Sequence, residues 1–171
     1  MLNWSRARYA VHGATLIVAA VVSFAAVLSL VGCGGGTPTQ PSQIDGTYSY
    51  QITPSSTCNE HDVPYLSLGW GGAVPLTQNG SAVSMHFSGV SLGLVSLDLT
   101  GTVADGSLSF TLQARSTYSV TVRRASGTGT ATIAPDQIIG TFVGDLTYVE
   151  TSDLQLTCHS TDHHLVLTRT R

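Results

Sequence analysis

Residues 97–112 read LDLTGTVADGSLSFTL. Leu97, Leu99, Gly101 and Val103 take every second place, and Asp98, Thr100 and Thr102 fill the gaps. The same alternation returns in Leu108, Phe110 and Leu112, separated by Ser109 and Thr111. Successive side chains of a strand point to opposite faces, so each run sets an apolar face against a polar one. Between the runs stands Asp105-Gly106, a pair that tolerates the positive φ needed at both central positions of a type I′ turn. The stretch predicts a β-hairpin.

Working outward, the alternation recurs in Tyr48, Tyr50 and Ile52, in Val83, Met85 and Phe87, and in Tyr118, Val120 and Val122. It recurs again in Leu154, Leu156 and Cys158, followed by Leu165 and Leu167. Asn79-Gly80 marks a second tight hairpin, and Pro135-Asp136 separates two further runs. From Ile44 onward no apolar stripe of helical period runs for three turns. Strands are expected near 45–53, 65–69, 73–78, 81–88, 94–103, 107–115, 117–133 (bulged at Gly127 or Gly129), 137–149, 153–159 and 163–170. Mergers among these leave about eight or nine. Short connections pair each strand with the next. The expected fold is all-β: a small antiparallel meander barrel of about eight strands, or alternatively a β-sandwich, since closure removes exposed edges.

The N-terminus reads as targeting. Arg6, Arg8 and His12 precede ATLIVAAVVSFAAVLSLVG at 14–32, which carries no charge. That is a basic n-region and an apolar h-region, long enough that an uncleaved span is the alternative. Leu30-Val31-Gly32-Cys33 resembles the lipobox of bacterial lipoprotein precursors. The resemblance implies cleavage before Cys33 and acylation of its sulfur, hence a membrane anchor. Gly34 is not the Asp that retains enteric lipoproteins in the inner membrane, so it implies outer-membrane attachment in a Gram-negative cell envelope. The expected organisation is a signal peptide at 1–32, a lipidated Cys and flexible tether at 33–43, and the β domain at 44–171.

Only 10% of residues are charged, and there is no Lys. Beyond Cys33, five Arg face ten Asp and Glu, a net charge of about −5 with His neutral. An acidic balance without a basic cluster speaks against nucleic acid as a partner. Oligomeric state is not legible.

At the two ends of the domain a second resemblance enters. Ile44-Asp45-Gly46-Thr47-Tyr48 is similar to the Gly-x-aromatic opening of lipocalin-like and avidin-like barrels. Arg169 in the final strand resembles the Arg that packs on that aromatic in lipocalins, with Tyr48 in place of the usual Trp.

Three Cys is an odd number for an exported chain. With Cys33 lipidated, Cys58 and Cys158 remain as a disulfide pair in an oxidising compartment. First and last strands are neighbours in a closed meander, which lets the two sulfurs meet. The pair gathers Cys58-Asn59-Glu60-His61-Asp62 with Cys158-His159-Ser160-Thr161-Asp162-His163-His164. His61, His159, His163 and His164 are thus candidate ligands for Zn²⁺, Cu²⁺ or Ni²⁺, in spacing that matches no established pattern. His159 and His163 are expected across a hairpin loop.

Gly89-Val90-Ser91-Leu92-Gly93 matches G-x-S-x-G, but a nucleophile elbow needs a helix after the Ser, and strand follows here. Gly127-Thr128-Gly129-Thr130 lacks the Lys and helix start of a phosphate loop. Trp70, flanked by Gly69, Gly71 and Gly72, either caps a ligand cavity or rests on the core, and Tyr65 invites the same two readings. With no catalytic signature, three non-enzymatic roles stand. A lipoprotein of this kind binds a small apolar or glycan ligand, docks an envelope partner with no pocket of its own, or holds a metal through the His-rich loops. No cofactor is implied by the first two.

Overall fold

A computed structural model describes residues 42–90, 93–150 and 154–171. Cys33, the signal segment 1–32 and most of the tether lie outside them. Eight strands follow in order: β1 Gly46–Thr53, β2 Leu68–Asn79, β3 Ala82–Val90, β4 Leu94–Ala104, β5 Ser107–Tyr118, β6 Thr121–Ile133, β7 Gln137–Glu150 and β8 Leu154–Arg169. One short helix, α1 Val63–Leu66, lies between β1 and β2. Each strand pairs antiparallel with the next, and β8 returns to pair with β1, which closes the ring of hydrogen bonds. The closed meander is adopted, not the sandwich.

Alternation builds the interior. In β4, Val95, Leu97, Leu99 and Val103 are buried while Asp98, Thr100 and Thr102 are exposed. Leu108, Phe110, Leu112 and Ala114 do the same in β5. Tyr48, Ile52, Met85, Phe142, Ile138 and Leu167 fill the space between the walls. Each such side chain, fully buried, contributes on the order of 1.5–3 kcal/mol of transfer free energy. Phe142 finds room because Gly127 and Gly129 face it; a Cβ on Gly127 would meet the ring at 2.6 Å.

Several expected strands resolve differently. The strand at 65–69 is not one: Pro64 favours a first helical turn, so α1 forms and β2 starts at Leu68, absorbing 73–78. The run at 117–133 is broken by a turn at Ser119-Val120, so β5 extends to Tyr118 and β6 begins at Thr121. No bulge falls at Gly127 or Gly129, where the register with β7 is unbroken. The runs 153–159 and 163–170 join as β8, with a register shift opposite Phe142 and Gly144. Asp105 and Gly106 both have positive φ, as type I′ requires. At the other hairpin the loop is Gly80-Ser81 and only Gly80 has positive φ, the pattern of type II′.

The two ends of the ring differ. At the end where residues 42–45 enter, the turns are tied together by backbone bonds: Val103 N to Ser81 O, Ile133 N to Gly106 O and Arg169 N to Asp136 O. Buried Ile44 and Tyr48 seal this end from within. The opposite end, the mouth, is where α1 lies against β6, β7 and β8.

Candidate functional site

The four candidate His ligands do not converge. His163 is fully buried, whereas His159, His164 and His61 are exposed. Since β8 is continuous, His159 and His163 lie along one strand instead of across a loop. The register shift near Thr161 and Asp162 gives them opposite faces. His159 Nδ1 instead meets Asp145 Oδ1 at 2.8 Å, and His86 bonds Asp98 on the same outer face. Among the described residues, one trio of candidate ligand atoms falls within 4.8 Å: Cys58, Cys158 and His163. Its sulfurs are bonded to each other, and His163 Nδ1 accepts Ser55 N–H at 3.1 Å.

That trio has a structural task. The Cys58–Cys158 disulfide joins Cα atoms 5.8 Å apart and pins residues 54–62 to β8. Thr57 Oγ1 shares a hydrogen bond with Ser160 Oγ at 3.0 Å, and Ser160 Oγ donates to Asp162 Oδ1 at 2.6 Å. The Ser160 hydroxyl foremost, then that of Ser55, holds the Asp162 carboxyl below its usual range. Burial pushes the His163 imidazole down, an effect the Gly144 and Cys158 carbonyls partly offset. With Nδ1 accepting from Ser55, the proton of the neutral ring sits on Nε2. Cys158 lies in the last strand, not the penultimate one, because the two C-terminal runs merge.

The pinned segment leads into α1 and so builds the mouth. Tyr65 of α1 packs against Tyr148 of β7 with ring centres 5.3 Å apart. Arg123 of β6 holds its guanidinium 5.8 Å from the centre of the Tyr148 ring. Trp70 of β2 sits opposite Tyr50 of β1 and packs on Phe87 at 5.0 Å. A hollow of about 430 Å³ runs from the mouth over β1, between β2 and the Val166 and Thr168 positions of β8, where the β1–β2 ladder is interrupted between Tyr48 and Tyr50. Pro64, Tyr50, Trp70 and Arg123 line its mouth side. A second cavity of about 290 Å³ is bounded by Val95, Ser116, Tyr118 and Thr121. The two share Gly69, Trp70 and Arg123. Two polar atoms here are buried without a partner: Tyr50 Oη and Arg123 Nε. Burial alone pushes the Tyr50 hydroxyl up to about 12.

Around this opening stand the exposed apolar side chains. Among the described residues eight large ones are exposed, and six of them, Tyr65, Val90, Leu94, Tyr118, Val120 and Leu154, belong to the mouth end. A third, shallower hollow of about 660 Å³ lies on the outer face over Thr100, Thr102, Thr128 and Thr130.

Trp70 and Tyr65, singled out from sequence, are both at the mouth, Trp70 lining its cavities and Tyr65 on its rim. Arg123 escaped notice. The signal was present in Thr121-Val122-Arg123-Arg124-Ala125: alternation with buried Ala125 sets Arg123 on the inward face and Arg124 outside. Ser91 lies outside the described residues, and the strands flanking it pair directly through Val90 and Leu94, with no helix after them. Comparisons of the chain with known protein families, with curated proteins and with solved structures return no match.

Proposed function

We propose that this chain is the precursor of an envelope lipoprotein, anchored through Cys33, whose β domain binds a small ligand at its mouth without catalysing a reaction. The observation that carries the binding reading is the junction of two cavities, about 430 and 290 Å³, on Trp70 and Arg123. Ligand sites are concave, largely apolar, and bear a few convergent polar groups. The interior beneath is filled by Leu97, Leu99, Leu112 and Phe142, so the ligand sits in the mouth and does not descend the axis. Residues 42–45 enter at the opposite, sealed end. The lipobox Leu30-Val31-Gly32-Cys33 supports the lipid anchor, and Gly34 after it supports attachment to the outer membrane in a Gram-negative envelope.

Native mass spectrometry of the protein taken from its own envelope tests the binding reading. A bound small molecule that is lost from a Trp70→Ala variant supports it; the same bare mass in both refutes it. Labelling with a radioactive fatty acid, compared with Cys33→Ala, tests the anchor, which equal labelling would exclude.

The apolar rim favours a second reading, an envelope partner docked over the mouth. Cross-linking from Val120→Cys in intact envelopes to one defined protein, with no small molecule bound, would select it over the first.

A further inference from the structure

Resting on the reading above, we infer that the mouth takes an anionic ligand with a flat apolar body, its acid group on Arg123 and its body against Trp70. Arg123 is the one charge on the inward face of β6, which otherwise carries Thr121, Ala125, Gly127, Gly129, Ala131 and Ile133. Among the described residues no carboxylate forms an ion pair with it, and the ion pairs present join His to Asp on the outer face. Glu150 on the neighbouring strand accepts from Tyr148 Oη at 2.8 Å. The Arg123 guanidinium carbon lies 5.8 Å from the centre of the Tyr148 ring, and its Nε is buried without an acceptor. A half-buried guanidinium with one N–H out of reach of water gains from a bidentate partner such as a carboxylate or sulfonate. Tyr50 lines the same cavity, and its Oη, also buried without a partner, is the second donor nearest to hand for the same kind of group. The Trp70–Phe87 pair and Val95 supply the apolar wall. Specificity follows from the cost of leaving these donors unpaired: a neutral ligand of the same shape fills the space and satisfies neither.

The rest of the domain argues that any preference for anions is local. Beyond Cys33 the chain carries five Arg against ten acidic residues, so its overall field repels anions. Arg124 provides an internal control: it is adjacent in sequence, exposed, and on the outer face opposite Arg115.

The test is calorimetric titration of the full-length protein in phospholipid nanodiscs with 2-naphthoate and with its uncharged counterpart 2-naphthamide, empty nanodiscs serving as blank. The expected result is naphthoate binding about ten-fold tighter than the amide or better. Arg123→Gln removes the preference, Arg123→Lys keeps part of it, and Arg124→Gln leaves it intact. Equal affinity for acid and amide in the wild-type protein overturns the anion assignment and leaves the mouth as a binding site. So does a preference that survives Arg123→Gln or vanishes with Arg124→Gln. No binding of either compound overturns both readings. The wild-type comparison stands without any variant, so a misfolded Arg123→Gln protein does not spare the inference.

Discussion

Arg169 lies across the Tyr48 ring with its guanidinium carbon 5.2 Å from the ring centre, and its Nη2 donates to Tyr48 Oη at 2.8 Å. Tyr48 Oη in turn donates to Ile44 O at 2.8 Å. The last strand thereby holds the entry of the first, 121 residues earlier, and covers the sealed end of the ring.

Cutting that clasp should loosen the seam between β1 and β8. Tyr48→Phe keeps the ring and removes both hydrogen bonds, an expected loss of about 1–2 kcal/mol. Arg169→Ala also removes the stem that packs on the ring and should cost about 2 kcal/mol. Because both act on one contact, the double variant should lose less than the two losses added. Urea unfolding of the four proteins measures the coupling, and strict additivity would show that the contact does not hold the seam.

What was legible in the sequence was what depends on neighbours in the chain. Leu97 to Leu112 shows its strands and its turn because alternation and Asp105-Gly106 are local facts, and the structure keeps both. The strand expected at 65–69 failed because Pro64 and the disulfide-pinned loop before it decide that segment, and the loop's position is set by β8. The His cluster failed for a related reason: the shift in register near Thr161 and Asp162 depends on the strand opposite, so the faces of His159 and His163 are not readable from spacing. The disulfide was legible by count, while Arg123 was legible only once Ala125 was known to face inward.

His163 should make stability fall in mild acid. Its buried ring has a pKa below the ordinary 6.5, so the unfolded chain takes up the proton first as pH drops. The stabilisation from keeping the ring neutral is present above pH 6.5 and is lost as pH falls through the lower folded value. His163→Gln retains an acceptor for Ser55 N–H and cannot titrate. Melting midpoints followed from about pH 7.5 to 5 should fall less steeply in the variant than in the wild type. Parallel curves would place the acid sensitivity elsewhere.

Breaking Cys58–Cys158 should release the mouth before it melts the ring. The bond closes a separation of 100 residues, for which chain entropy gives up to about 4.7 kcal/mol. A Cys58→Ser, Cys158→Ser double variant is expected to lose about 2–4 kcal/mol in urea unfolding. Ladder bonds hold β1 to its neighbours independently of the sulfurs, whereas residues 54–62 depend on the disulfide and on Ser55, Thr57 and Ser160. Limited proteolysis of the variant should therefore cut first within 54–67, at Tyr65 or Leu66, and leave the strands intact. First cuts within the strands would mean that the pinned segment is not the weak part.

Tyr50 separates what the mouth costs from what it does. Its hydroxyl is buried without a partner, which costs about 1–3 kcal/mol relative to a hydrogen-bonded or absent hydroxyl. Tyr50→Phe should therefore be as stable as the wild type or more so, by about 1 kcal/mol. The same burial raises the hydroxyl from 10.0 to about 12, so the folded state holds its proton after the unfolded chain has lost it. The stabilisation from the neutral phenol is fully present below pH 10.0 and is lost as pH rises toward about 12. The Phe variant should show a shallower alkaline fall than the wild type, and comparison of the two cancels what Tyr48 and the other tyrosines contribute. If the hydroxyl is kept for a ligand, the more stable variant should also bind 2-naphthoate more weakly. A variant less stable at neutral pH would mean that Tyr50 Oη has a partner in solution, and it would remove the second donor from the anion site.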